Sequence, residues 1–274
     1  MQNNKQWIWV LLFEVILMSA CSTTITTEAE TPVVKKVYPS ADTLPENLLR
    51  MYIQFSKPMK TIDNLEKIKL VDEKEQEIVG AIFNNVHELW DKEQKQLTII
   101  FDPSRVKTGL DANERMGRAL QAGKTYQLVI GQLEDVEGNT LPSVFTKSFY
   151  VSEEDQIIPN TALWTLKIPK SGSTSPLIIE FPAMLDHLSL LQRLQITNSN
   201  NQPIAGKIEI AKQETEWRFT PTEKWETGDY ILYIHGRLED PCGNNLNGLF
   251  DHKIGSLKNE KEEFIESINI KISK

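Results

Sequence analysis

Cysteine is scarce in this chain, occurring only at Cys21 and Cys242 of 274 residues. A disulfide framework of the kind that holds small secreted domains is therefore excluded, and any core has to come from apolar packing. Basic charge is in deficit: 30 Lys and Arg stand against 38 Asp and Glu, a net charge of -8, with both signs mixed along the chain. No basic stripe exists to neutralise phosphates, which argues against nucleic acid as a partner. Long hydrophobic runs are missing too. The apolar stretch near the start, from Trp7 to Met18, is interrupted by Glu14 and falls short of the about 20 residues that a bilayer crossing takes. Helical periodicity is absent over any long stretch, although residues 185–193 have the pattern of a helical turn or two. Catalytic signatures are missing as well: no Gly-x-Ser-x-Gly elbow, no phosphate loop and no His-Glu-x-x-His helix occurs. The four histidines, His87, His187, His235 and His252, lack zinc-site spacing. No metal, cofactor or catalytic residue is assigned.

What the chain does have begins with a leader. Residues 1–20 place Lys5 before the apolar runs 7–13 and 15–18, followed by the small residues Ser19 and Ala20, the pattern of an export signal. The segment Met18-Ser-Ala-Cys21 resembles the lipobox of bacterial lipoproteins, departing from it in Met18, where Leu is usual, and in the charge of Glu14. The resemblance implies that the Cys21 thiol takes a diacylglycerol and its freed amine a further acyl chain, and several chains together anchor stably in a membrane. It also implies, through Ser22 after the cysteine, an outer membrane where the cell has one. A lipidated Cys21 leaves Cys242 without a disulfide partner in the chain. Residues 22–32 are polar and aperiodic and read as a flexible tether.

Beyond the tether the chain is written twice. One copy carries Met51-Tyr-Ile-Gln-Phe-Ser-Lys-Pro-Met59 and later Tyr126 and Leu133-Glu-Asp-Val-Glu-Gly-Asn139. The other carries Leu177-Ile-Ile-Glu-Phe-Pro-Ala-Met184, then Tyr230 and Leu238-Glu-Asp-Pro-Cys-Gly-Asn244. Phe55 and Asp135 lie 80 positions apart and Phe181 and Asp240 lie 59 apart. The first copy thus holds 21 extra residues, which belong around 102–121. Short runs rich in β-branched and aromatic residues predict strands at 33–38, 48–55, 68–71, 77–83, 96–101, 126–130 and 145–151 in the first copy. In the second they fall at 163–168, 176–181, 194–197, 205–210, 216–219, 230–235 and 268–272. Seven short strands per copy, separated by Pro, Gly, Asn and Asp, are the signature of a β-sandwich.

In their order, these motifs resemble the bacterial Ig-like domain family first named from S-layer proteins, in which Phe-Ser-x-Pro-Met, Gly-x-Tyr and Asp-x-x-Gly-Asn recur. The second copy departs in Phe181-Pro-Ala-Met184 and in a long excursion, 250–266, before its last strand. The expected fold is all-β: two tandem immunoglobulin-like β-sandwich domains after a signal peptide and short flexible tether. The expected boundaries are leader 1–20, lipidated Cys21 and tether 21–32, first domain 33–151, linker 152–161 and second domain 162–274. The resemblance implies modules of envelope and surface proteins and names neither ligand nor reaction.

Four features carry candidate chemistry. The Asp-x-x-Gly-Asn turns offer oxygens at Asp135, Glu137, Asn139, Asp240 and Asn244, but too few carboxylates for the six to eight ligands calcium takes. The expectation is that each Asp caps its own loop while Gly138 and Gly243 take positive φ. Trp90, Trp164, Trp217 and Trp225 could stack on sugars, but Trp217 and Phe219 alternate on one strand face, which favours a core. Cys242, in the second turn, is expected as a half-buried apolar filler. The most individual segment is the insertion, with Arg105, Lys107, Arg115 and Arg118 in a loop framed by Pro103 and Gly117. Arg105, Lys107 and Arg118 serve either as a recognition loop or as a brace at the domain junction, where Arg105 and Lys107 could pair with Glu153, Glu154 and Asp155. The functional expectation is a non-catalytic envelope lipoprotein, held to the membrane through Cys21, that binds an envelope protein or polysaccharide or acts as a scaffold. The alternative is a carboxylate-dependent hydrolase, or an accessory to one, working at an inter-domain cleft.

Overall fold

The computed structural model describes residues 31–62, 65–84, 89–252 and 265–274. The leader, Cys21, most of the tether, His87 and residues 253–264 of the late excursion lie outside the described residues. The chain from Thr31 to Lys274 is one compact unit, and within it the apolar residues gather into two cores, one drawn from 37–151 and the other from 164–272.

The first sandwich runs β1 Val34–Tyr38, β2 Thr43–Pro45, β3 Arg50–Phe55, β4 Ile68–Val71, β5 Gln96–Ile100, β6 Thr125–Ile130 and β7 Phe145–Ser152. Two short helices, α1 Pro103–Val106 and α2 Asp111–Met116, stand between β5 and β6. One sheet is β1-β3-β5, the other β2-β7-β6-β4. Strand β6 shows the logic of the layer: Tyr126, Leu128 and Ile130 are buried while Thr125, Gln127 and Val129 face outward, the period of two that a half-covered sheet requires.

The second sandwich runs β8 Thr165–Lys167, β9 Leu177–Glu180, helix α3 His187–Gln192, β10 Leu194–Asn198, β11 Gly206–Ala211, β12 Glu216–Pro221, β13 Gly228–His235 and β14 Ile265–Ile272. Its sheets are β11-β12-β9-β8 and β10-β13-β14. In strand order within the copy these are four-five-two-one and three-six-seven, the arrangement of a constant-type immunoglobulin domain. Trp217 is fully buried and stacks on Phe219 at 5.8 Å. Trp225 meets Tyr230 edge-on at 5.2 Å. Trp164, Trp217 and Trp225 all belong to this core, while Trp90 packs partly buried against the first.

Several expectations need correction. Residues 77–83 do not form a strand. They keep only the bridges Val71↔Glu77 and Ile82↔Phe101, because Gly80 at φ +68° turns the chain between them, leaving Val79 78% exposed. The insertion is not a plain loop. Asp102 accepts the Ser104 amide and caps α1, Pro103 takes the first helical position, and Gly117 closes α2 at φ +69°. Strand β2, parallel to β7, has no counterpart among the expected elements. Three residues ending in Pro45 carry almost no strand signal, and an edge is where a sheet tolerates proline. The last strand starts at Ile265 and pairs with β13 over eight positions.

Candidate functional site

Polar side chains that would ordinarily face water meet between the two sandwiches. On β3, Tyr52 donates its hydroxyl to Asp186 Oδ2 at 2.7 Å, and Asp186 in turn accepts the Ser189 amide at 2.8 Å and caps α3. Arg50, two residues earlier on β3, pairs with Glu239 at 2.8 Å. Burial raises Tyr52 and Asp186 above their ordinary values: the Asp186 charge adds to burial at Tyr52, whereas at Asp186 the Arg50 charge and the Tyr52 hydroxyl oppose it.

A second group surrounds the turn between β11 and β12, where Lys212, Gln213 and Glu214 all take positive φ, a conformation that side chains other than glycine's adopt at a cost. The turn aims Glu214 across the junction, where its Oε2 accepts the Ser40 amide at 2.7 Å. Its Oε1 lies 3.7 Å from His187 Nδ1, and the His187 ring stacks on Tyr38 with centroids 3.4 Å apart.

The third group centres on Asn47, buried behind β2. Asn47 Nδ2 donates to the Asp155 carbonyl at 2.8 Å, and its Oδ1 accepts both the Asp155 amide at 2.9 Å and the Cys242 thiol at 3.2 Å. Leu49 donates its amide to the Pro241 carbonyl at 2.9 Å. Cys242 is therefore buried outright and hydrogen-bonded, not the half-buried apolar filler expected, and burial pushes its thiol well above the ordinary range.

Each expected insertion residue has a distinct place. Arg105 is buried and donates to the carbonyls of Gly117, Val79 and Arg118 at 2.9, 3.1 and 3.3 Å, while burial lowers it. Lys107 lies 4.3 Å above the Phe250 ring of the second sandwich. Neither pairs with the linker carboxylates suggested for them: Arg105 is spent on carbonyls and Lys107 on the Phe250 ring. Arg118 does reach one of them: it pairs with Glu154 at 2.6 Å as well as with Glu46 at 2.5 Å and Asp251 at 3.3 Å, joining first sandwich, linker and second sandwich through one guanidinium. Thr108 adds amide and hydroxyl bonds to Asp251.

The two repeated turns share one construction. Asp135 accepts from the Glu137 and Asn139 amides and from Asn139 Nδ2, and Asp240 accepts from the Cys242 and Asn244 amides and from Asn244 Nδ2. Gly138 and Gly243 stand at φ +87° and +83°. At Asp135 burial works upward, but the Asn139 and Glu137 bonds and Lys57 outweigh it and leave the carboxyl lowered. At Asp240, packed into the junction, burial prevails and pushes the carboxyl up to about 7, with Asp155 adding to it.

Beside this junction the sandwiches leave a cleft of about 600 Å³, walled by β2, by the linker from Ser152 to Ile157, and by Met184, Gln213 and Pro241. A smaller apolar recess of about 170 Å³ opens next to it under Ile158 and Leu163, floored by Trp164, Phe181 and Met184. The two share Asp155, Ile157, Ala183 and Met184. Together they have the dimensions of a small-ligand or peptide site. Sequence reasoning anticipated a cleft between the domains without naming its walls; the one available signal was the acidic run Glu153-Glu-Asp155 in a short linker. Among the described residues no group of three or more His, Cys, Asp or Glu is arranged to hold a metal ion, and no helix is long and apolar enough to cross a membrane.

No family model matches the sequence, and no curated protein matches it. Among solved structures, CopC from Methylosinus trichosporium OB3b superposes at 12% identity with a TM-score of 0.31, over 46% of this chain and 98% of that one. Domains 1-6 of the surface layer protein SbsC superpose at 11% identity and a TM-score of 0.32, over 90% of this chain and 41% of that one. Domains MG0-NIE-MG1 of native alpha-2-macroglobulin from Escherichia coli give 11% identity and a TM-score of 0.29, over 75% of this chain and 66% of that one. The chain thus spans about two fifths of those six S-layer domains. The sandwich assignment itself rests on the strand pairings described above.

Proposed function

We propose that this chain is a non-catalytic, lipid-anchored binding module of the cell envelope, carried on the outer membrane where there is one, and that its two sandwiches are locked together to present the cleft between them. The observation that carries the reading is the junction. Asn47, Tyr52, Glu214 and Arg118 tie the sandwiches through buried or half-buried bonds to Cys242, Asp186, the Ser40 amide and Asp251 respectively, a construction that holds a cleft in one shape and lets a ligand bind without first ordering its walls. The cleft carboxylates favour binding over hydrolysis. Glu154 is held by Arg118, Asp155 Oδ1 accepts the Ile157 amide, and the neighbouring Asp240 is occupied by the donors of its own turn, so these carboxyls already serve structural bonds. Tethering follows from the lipobox-like Met18-Ser-Ala-Cys21 and the polar stretch after it.

The anchor is tested by growing cells with a labelled fatty acid. The wild type takes up label and sediments with membranes. Cys21→Ser, which removes the thiol the lipid would occupy, takes up none and is found uncut or soluble. A wild type without label, and a Cys21→Ser variant that fractionates with membranes as before, would reject the anchor.

A further inference from the structure

We propose that the cleft receives an extended peptide segment of a partner protein, one that carries lysine or arginine two residues from an aliphatic or aromatic side chain. The inference rests on the binding-module reading and names its ligand class.

Three independent observations converge on it. The first is charge. Among the described residues the larger cavity is lined by Asp42, Glu153, Glu154 and Asp155 and by no Lys, Arg or His. Arg118 neutralises Glu154 from behind. Lys147 is near enough to Asp42 to feel its charge but gives its protons to the Ser40 and Ala41 carbonyls. Glu153 makes no ion pair among the described residues and is exposed. The negative field reaches the adjoining recess, where the Asp155 charge helps to raise Asp240. A cationic side chain is what such a cleft complements.

The second is apolar surface. Ile157, Leu163 and Ile158 are 70%, 62% and 42% exposed, yet all three line the recess, above Trp164, Phe181 and Met184. Apolar side chains left in water around a concavity mark an interaction site. A recess of about 170 Å³ accepts one aliphatic or aromatic side chain, not a folded domain.

The third is the backbone of β2. Tyr150 donates to the Asp42 carbonyl and Glu46 donates to the Ser152 carbonyl, so in this parallel pairing the peptide groups of residues 42, 44 and 46 face β7. Those of Thr43 and Pro45 face the cleft. Pro45 has no amide hydrogen, and its carbonyl is taken by Leu48. Thr43 is exposed, its N–H and C=O point outward, and among the described residues no strand lies beyond it. It offers a donor and an acceptor to an extended chain, the beginning of strand addition at a sheet edge. A chain laid there repeats its side-chain direction every second residue, which sets the spacing of the cation and the apolar group and singles out an extended peptide over a sugar.

The test is fluorescence anisotropy with the full chain in detergent micelles and a labelled heptapeptide, Thr-Leu-Thr-Lys-Thr-Lys-Thr, whose leucine and lysines share one face. Saturable binding is expected, weakening steeply as salt is raised. The double variant Asp42→Asn with Glu153→Gln should bind at least about tenfold more weakly. Ile157→Ser with Leu163→Ser should do the same, as should Thr43→Pro, which removes the outward amide. Lys207→Glu, on the exposed edge strand β11, should bind as the wild type does. Melting curves matching the wild type's show that each variant is folded. Absence of saturable binding, equal binding of an analogue with glutamate in place of both lysines, or indifference to the cleft substitutions would overturn the proposal. Binding of a neutral envelope oligosaccharide at the cleft, with none of the peptide, would also overturn it while leaving the binding-module reading in place; loss of the Cys21 anchor alone would leave peptide binding intact.

Discussion

At the scale of single residues, one motif placed twice behaves as two different things. Asp135 and Asp240 accept the same three turn donors, yet the first is lowered and the second is pushed up to about 7 because the second is pressed between the sandwiches. A carboxyl raised in the folded state above its unfolded value near 4 contributes stability that is complete below that value and is lost as pH rises through about 7. Denaturation midpoints followed between pH 4 and 8 should carry this downward component, and in Asp240→Asn the component should vanish, although the variant starts lower at pH 5 for want of the Oδ2 bond. An unchanged pH slope would show that Asp240 is not the group responsible. The paired glycines make a second contrast. A Cβ at Gly138 meets nothing within 4 Å, whereas one at Gly243 would lie 2.8 Å from Leu49 Cδ2 and 3.2 Å from the Phe250 ring. Gly138→Ala should cost about 1–2 kcal/mol for its left-handed backbone alone; Gly243→Ala should cost clearly more in chemical denaturation, because the sandwiches must also part slightly. Both turns were plain in the sequence. Their difference was not, since it depends on Leu49, nearly 200 positions away.

At the scale of elements, the strands with clean alternation, such as β6 and β13, were legible because their pattern reports burial directly. Elements held by something other than alternation were not. Residues 77–83 have strand composition but bend at Gly80, and β2 is a strand only because β7 pairs with it. The insertion gains its shape from Arg105, which bonds three carbonyls drawn from two segments. Arg105→Ala should therefore cost about 2–3 kcal/mol, the range of hydrogen bonds to a charged group together with buried carbonyls left unpaired, and should open 103–118 to limited proteolysis. Lys107→Ala loses its contact with the Phe250 ring, worth about 0.5–1 kcal/mol where the cation stays near water. Equal losses for the two would contradict the assignment of Arg105 as the element's fastener.

At the scale of the molecule, the two cores are separate but their junction is polar and crowded, so the full chain should melt in one transition. Asn47→Ala removes the bonds to both backbone groups of Asp155 and to the Cys242 thiol, and Arg118→Ala leaves Glu46 and Asp251 without their shared cation. Together they should separate the transition into two, read by calorimetry, because each sandwich keeps its own core while losing its partner; a single transition merely shifted downward would mean that the cores are coupled by other contacts. The sequence by itself determined the class of the fold, the duplication and the positions of most strands, because burial on a sheet imprints a period of two on the residues that form it. Only the tertiary structure decided which polar side chains are structural and which line a cleft. Tyr52 and Asp186, Ser40 and Glu214, and Asn47 and Cys242 are joined across more than 130 positions, and a bond between segments so distant leaves no periodic trace in either, since each partner read alone is an ordinary surface residue until the other sandwich covers it.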